Sequence, residues 1–273
     1  MTFPGVAPRS GVYDYHVHST YSDGTFLGWM VGAAADAGLD GVGIADHLVV
    51  SDRAEQRRRR RRDGLNLDRT HDRRRAAIED VREEYDVAVF DAAEVDYHPA
   101  DEARIERFLA TAEFDYHVGS VHLVDGTNVH VADPDDPAAF VERYVELVEA
   151  MIDSELFAIA GHVDLPERNP YLRGEMDRQQ YDRLARAFAD SRTVPEVNAG
   201  RSNREIDHPA DDTTGPGFFH PVPEFVAALR EHDVSVTAGS DAHEADDLRE
   251  RAALLETHFE DLGLEPAEVH GRG

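Results

Sequence analysis

Gly11-Val12-Tyr13 leads into Asp14-Tyr15-His16-Val17-His18-Ser19-Thr20-Tyr21-Ser22-Asp23-Gly24, and an apolar-periodic segment follows at residues 27–38. The opening three residues favour a strand, the middle is polar, and the last segment has helical spacing. Side chains two apart on a strand share a face, so His16 and His18 can reach one point as the strand ends. Neutral imidazole is a common metal ligand, and Asp23 adds a hard oxygen a few residues on. A lone pair of histidines at this spacing is also what an ordinary surface loop carries. What decides the reading is that the same sequence of strand, polar end and helix recurs down the chain.

Residues 41–45 read as a buried strand with Asp46-His47 at its end. Residues 87–93 run into Glu94, residues 116–120 lead to His122, and residues 157–161 lead to His162 and Asp164. Residues 194–198 carry Glu196, and Pro195 places that strand at an edge or gives it an irregular start. Residues 234–239 end at Ser240-Asp241-Ala242-His243. Helical spacing marks residues 138–154, 177–189, 222–231 and 246–259 between them, with aromatic residues that read as core. Such repetition argues for parallel β/α units. In a closed barrel the C-terminal ends of all strands open on one face. That geometry gathers His16, His18, Asp23, His47, Glu94, His122, His162, Asp164, Glu196, Asp241 and His243 at one mouth. The remaining histidines, His71, His98, His117, His130, His208, His220, His232, His258 and His270, are expected to be solvent-facing or structural.

The chain of 273 residues can bury one large α/β core, and no linker divides it, so residues 1–273 are expected to form one domain. It has no cysteine, which removes disulfides and thiolate metal sites and leaves His, Asp and Glu as ligands. No apolar run is long enough to span a membrane, and the first residues lack a secretion signal. A cytoplasmic location is therefore expected. Net charge is −28, and all 28 basic residues are arginine. Such acidity argues against nucleic-acid backbones and anionic membranes as partners. It is also the composition of proteins that work in concentrated salt, where screening relieves self-repulsion.

One segment departs from this pattern. Residues 57–62 are consecutive arginines, and eleven of the 28 arginines fall between Arg53 and Arg75. This insert, at about residues 51–85 after the second strand, borders the expected mouth. It could attract an anionic substrate, or it could be a solvated loop or exposed helix.

The motifs Asp14-x-His16-x-His18, Ser22-Asp23-Gly24, Ile44-Ala45-Asp46-His47, Glu94, Gly119-Ser120-Val121-His122, Gly161-His162-x-Asp164, Glu196-Val197-Asn198 and Gly239-Ser240-Asp241-Ala242-His243 resemble, in order, those of the PHP (polymerase and histidinol phosphatase) superfamily. The resemblance implies a distorted (β/α)7 TIM-like barrel holding two to three divalent ions, zinc, manganese or iron. It implies one metal site from His16, His18, Glu94 and Asp241, a second from Glu94, His122 and His162, and a third from Asp23, His47 and His243. Glu94 would bridge the first two.

Phosphate ester hydrolysis fits such a site. Two cations about 4 Å apart lower the pKa of a shared water and grip phosphoryl oxygens. Glu94 and His122 then belong to the catalytic centre. Asp164 is a candidate acid for the leaving alkoxide or a positioning partner. Asp14 and Asp46 are candidates for holding imidazoles in their ligating tautomers. Arg168, Arg201 and Arg204 follow the fifth and sixth strands and could clamp phosphate. The size, the Gly119–Gly126 run and Phe219-His220-Pro221 look most like the stand-alone histidinol phosphatases. The expected substrate is a small phosphomonoester, first of all L-histidinol phosphate. Alternatives are a phosphoesterase on nucleotides, a 3′–5′ exonuclease on oligonucleotides, and a non-catalytic metal-binding module.

Overall fold

Seven parallel strands follow one another round a sheet whose two ends meet. The computed structural model describes residues 12–200, 220–264 and 267–269. The elements run β1 (Tyr13–Val17), α1 (Leu27–Asp36), β2 (Gly41–Leu48), α2 (Ala54–Asp63), α3 (Leu67–Glu84), β3 (Ala88–Asp96), α4 (Glu102–Ala112) and β4 (Tyr116–Ser120). A small hairpin, β5 (Leu123–Val124) and β6 (Thr127–Asn128), precedes α5 (Pro137–Asp153) and β7 (Ile159–Ala160). The chain continues through α6 (Arg178–Ala189), β8 (Val194–Asn198), α7 (Pro223–Glu231), β9 (Thr237–Gly239) and α8 (Ala245–Leu262). The sheet order is β1-β2-β3-β4-β7-β8-β9. Closure comes from a parallel bridge between Val17 and Ala242, with Asp241 N–H donating to His16 C=O and His18 N–H to Ala242 C=O. This is the expected (β/α)7 barrel.

Alternation along the strands sets what faces inward. On β3, Val89, Ala93 and Val95 pack outward against helices, while Ala92 faces an inner cluster with Tyr15, Ala45, Tyr116, Val118, Ile159 and Val194. Further along the same inward row stand Glu94 and then Asp96, both buried. The floor is thus apolar and the mouth is ionisable. Two inward glycines make room across the barrel. A Cβ on Gly43 would lie 1.6 Å from the Tyr116 hydroxyl, and one on Gly239 would lie 1.7 Å from Glu196 Oε1.

Three points refine the pattern reading. First, β1 ends at Val17, between His16 and His18 as expected, but it is not a regular strand. Asp14 and Val17 pair with Val42 and Ile44, so β1 carries one extra residue there, a bulge. It breaks strict alternation: Tyr15 packs in the floor while Val17 packs outward against α1. Second, β8 is flanked by β7 and β9 and is not an edge. Pro195 is tolerated because its missing N–H would point towards β9, whose pairing begins one residue later at Glu196 and Thr237. Third, the arginine-rich insert is two helices, α2 and α3, and α4 was not anticipated by the pattern reading.

Candidate metal centre

Glu94 is the hub of the mouth. On β3 it lies in register beside His47 of β2. Its Oε1 is 2.9 Å from His162 Nε2 and 3.3 Å from His122 Nε2. Its Oε2 is 2.6 Å from His47 Nδ1, 3.6 Å from His16 Nε2 and 3.7 Å from His18 Nε2. Asp241 Oδ1 faces the same pair, 3.2 Å from His18 Nε2. Asp23 stands outside this group, with Oδ1 3.4 Å from His243 Nε2 and Oδ2 3.6 Å from His47 Nε2. His162 and Asp241 hold left-handed backbone (φ 31° and 53°), a departure that concentrates at functional sites.

Three donor groups converge within reach of a single ion: His18 with Asp23, His47 and His243; His16 with His18 and Glu94; and His47 with Glu94 and His122. The grouping overlaps the sets implied by the family resemblance, but His18 and His47 each fall in two groups, while Asp241 and His162 fall in none and meet the others at His18 and at Glu94. Two of these buried atoms stay unsatisfied although close together. His47 Nδ1 and Glu94 Oε2 each lack a hydrogen-bond partner despite their 2.6 Å separation. The Nε2 atoms of His16 and His18 are 3.2 Å apart. Buried polar groups are ordinarily satisfied, and a cation between them would do so. The residues therefore fit divalent cations, and a nitrogen-and-oxygen donor set suits zinc, manganese or iron.

Charge follows the same geometry. Burial opposes charge on His16, but Glu196 and then Glu94 outweigh it and hold the ring well above the usual imidazole range. In His47 the same opposition is overcome by Glu94 and Asp23. His18, buried and beside His243, is pushed down to about 4. Burial also opposes ionisation of Glu94 and Asp241, yet the surrounding histidines hold both carboxyls well below their usual range.

The carboxylates that orient the imidazoles are not those the sequence suggested. Asp14 accepts from Ser240 N–H and His16 N–H, tying β1 to the end of β9, and the carboxylate behind His16 Nδ1 is Glu196 at 2.9 Å. The Asp46 carboxylate makes its hydrogen bonds elsewhere than to the His47 ring. It accepts from Ser19 N–H, from the Ser19 and Ser22 hydroxyls and from the fully buried Arg74, and so shapes the loop that carries Asp23. His122 Nδ1 lies 2.5 Å from Asp96 Oδ1. Burial would raise the Asp96 carboxyl, and Arg59 and His122 hold it at about 2. A period-two reading from Glu94 would have found Asp96.

The mouth opens on a cavity of about 670 Å³ lined by Asp23, His47, His122, His162, Asp241 and His243, together with Arg59, Arg168 and others. Arg168 is buried, donates to Asp241 Oδ2 at 3.1 Å and also donates to Asn198 Oδ1. Arg201 and Arg204 lie outside the described residues. Asp164 does not line this cavity. It accepts from Val222 N–H at 2.8 Å and lies 2.9 Å from His220 Nδ1. Burial raises its pKa, but His220 outweighs that and leaves the carboxyl below its usual range. His130 does line the cavity, its ring stacked near His122, although it was expected to be solvent-facing or structural. No helix among the described residues is long and apolar enough to cross a membrane.

A parallel barrel with an imidazole and carboxylate mouth defines a class. A family model described as PHP domain matches residues 14–200, and the chain belongs to that family. It is 27% identical over 269 residues to a Deinococcus radiodurans protein named "Probable histidinol-phosphatase", covering 93% of this chain and 95% of that one. Its fold matches histidinol phosphate phosphatase from Lactococcus lactis, solved with zinc, L-histidinol and phosphate (TM-score 0.71, 18% identity, 95% and 97% of the two chains). It also matches a Listeria monocytogenes protein to which the same activity is ascribed (TM-score 0.71, 17% identity, 86% and 96%).

Proposed function

We propose that this chain is a metal-dependent phosphatase that hydrolyses L-histidinol phosphate to L-histidinol and phosphate. The observation that carries the reading is the convergence on Glu94 of imidazoles from β1 and β2 and from the ends of β4 and β7, beside an open cavity that also holds Asp241 and Arg168. The names of the relatives support the substrate. His16, His18, Asp23, His47, Glu94, His122, His162, Asp241 and His243 are the proposed ligands of two to three cations. Zinc is the first choice, because it is the ion named for the Lactococcus lactis enzyme. Bound there, the cations would supply an activated water and neutralise growing phosphoryl charge.

The chain's own groups do the rest. Glu196 holds the His16 ring through Nδ1, leaving Nε2 for the ion. Arg168 offers the substrate phosphate a fixed cation, held by Asp241 and Asn198. Arg201 and Arg204 follow β8 in sequence and are proposed as further phosphate contacts. Asp164 takes a positioning role, anchoring the segment at His220 and Val222, since a buried carboxylate already accepting these partners is a poor proton donor. The acidic, lysine-free composition supports a high-salt working medium.

The test is phosphate release from L-histidinol phosphate, AMP and a short oligonucleotide in the presence of zinc or manganese. Preferential turnover of histidinol phosphate is expected. Turnover of AMP or the oligonucleotide in its place would transfer the chain to the nucleotide-directed readings. Cation binding without turnover of any of them would leave a binding module.

A further inference from the structure

The run of arginines at residues 57–62 is not one feature. α2 turns Arg57, Arg58, Arg61 and Arg62 to solvent and Arg59 and Arg60 inward. Arg60 donates to Asp68 and to Val49 C=O, fastening α2 to its surroundings. Arg53 pairs with Asp101 at 2.7 Å at the other end, and Gln56 is buried beneath the helix. α2 is therefore held at both ends, and what it presents to the mouth is Arg59. Its guanidinium lines the same cavity as His122 and donates to Asp96 Oδ2. The other oxygen of Asp96 holds His122 Nδ1.

We propose that Arg59 is a positioning residue of the metal centre. By clamping one oxygen of Asp96 it fixes the other against His122 Nδ1, so that His122 Nε2 faces Glu94. A carboxylate fixed at both oxygens cannot rotate away from the ring it orients. A buried carboxylate with a free oxygen could, and partners of this kind are ordinarily worth about 10–100-fold in metal affinity or activity. α2 contributes to the site through this one contact rather than through its summed charge. The activity arm of the test rests on the phosphatase reading; the zinc arm does not.

Zinc affinity of chelator-treated protein and steady-state kinetics on L-histidinol phosphate should be measured for wild type, Arg59→Gln, Arg59→Lys, Asp96→Asn, the Arg59→Gln/Asp96→Asn double variant, and Arg57→Gln/Arg58→Gln/Arg61→Gln/Arg62→Gln. Arg59→Gln is expected to weaken zinc binding and lower kcat by about 10–100-fold, with KM changed much less. Arg59→Lys should recover part of both. The double variant should be no worse than the weaker single one, because both act on His122 by one route. The quadruple variant should match wild type. An Arg59→Gln protein that binds zinc normally and shows only a raised KM would overturn the proposal in favour of direct phosphate contact. Equal losses from the quadruple variant would overturn it in favour of bulk charge. If the wild-type protein turns over no histidinol phosphate, the substrate reading fails, and the zinc comparison still decides the role of Arg59.

Discussion

The floor and the mouth of this barrel are built from the same strands, yet they are opposite materials. Inward positions on β2 pass from Ala45 to His47, and on β3 from Ala92 to Glu94 and Asp96. On the floor, Tyr15, Phe90 and Tyr116 pack ring against ring, and the Tyr116 hydroxyl donates to Tyr15 C=O at 2.6 Å. At the mouth, some of the crowded buried atoms, His47 Nδ1 and Glu94 Oε2 among them, have no hydrogen-bond partner. The difference teaches where each job is done. The floor holds the strands together through apolar burial. The mouth spends some of that stability to keep an unsatisfied, cation-shaped arrangement of charge.

Substitutions can break the comparison from either side. The largest effect is expected from Glu94→Gln, which alters the carboxylate shared by two of the three donor groups. Phosphatase activity should fall about a thousandfold or more, while the chelator-treated protein, judged by thermal melting, stays folded. Next comes Tyr116→Ala on the floor. It should cost about 3–5 kcal/mol in chemical unfolding, by cavity creation and loss of the hydroxyl's bond, while the folded fraction keeps its turnover number. If the floor variant lost activity in its folded fraction, or the mouth variant unfolded, the two regions would not be separable.

Glu196→Gln is intermediate. It keeps the shape but removes the charge behind His16, and about a 10–100-fold loss of zinc affinity or activity is expected. The smallest effect is in pH. His16 and His47 are held above the usual imidazole pKa by neighbouring carboxylates. In metal-free protein the stability this contributes is fully present below about pH 6.5 and is lost as pH rises through the raised values. His18 and His162, held below the usual value, act oppositely but only below about pH 7, so metal-free protein should melt lower at pH 9 than at about pH 7.5. Ligands must be neutral to bind, so the stabilisation added by zinc should grow over the same span. Melting curves with chelator and with zinc check both signs.

Much of the mouth was legible because its residues recur at strand ends, an order that chance does not readily produce. His16, His18, Asp23, His47, Glu94, His122, His162, Asp241 and His243 are brought together by the barrel, as that order implies. The supporting layer was harder to read. Glu196 and Asp96 orient imidazoles from other strands, whereas Asp14 and Asp46, adjacent to ligands in sequence, spend their carboxylates on backbone and loop groups. The bulge in β1 leaves no compositional mark. The helices of the insert were obscured because α2 is polar on almost every side and carries little apolar periodicity.

Zinc titration of chelator-treated protein, with phosphate release from L-histidinol phosphate followed at each step, tests the central claim most directly. Activity should be absent at the start and return in proportion to zinc bound, saturating at two to three ions per chain. A protein that takes up no zinc at the mouth, or whose turnover is indifferent to it, would contradict the account.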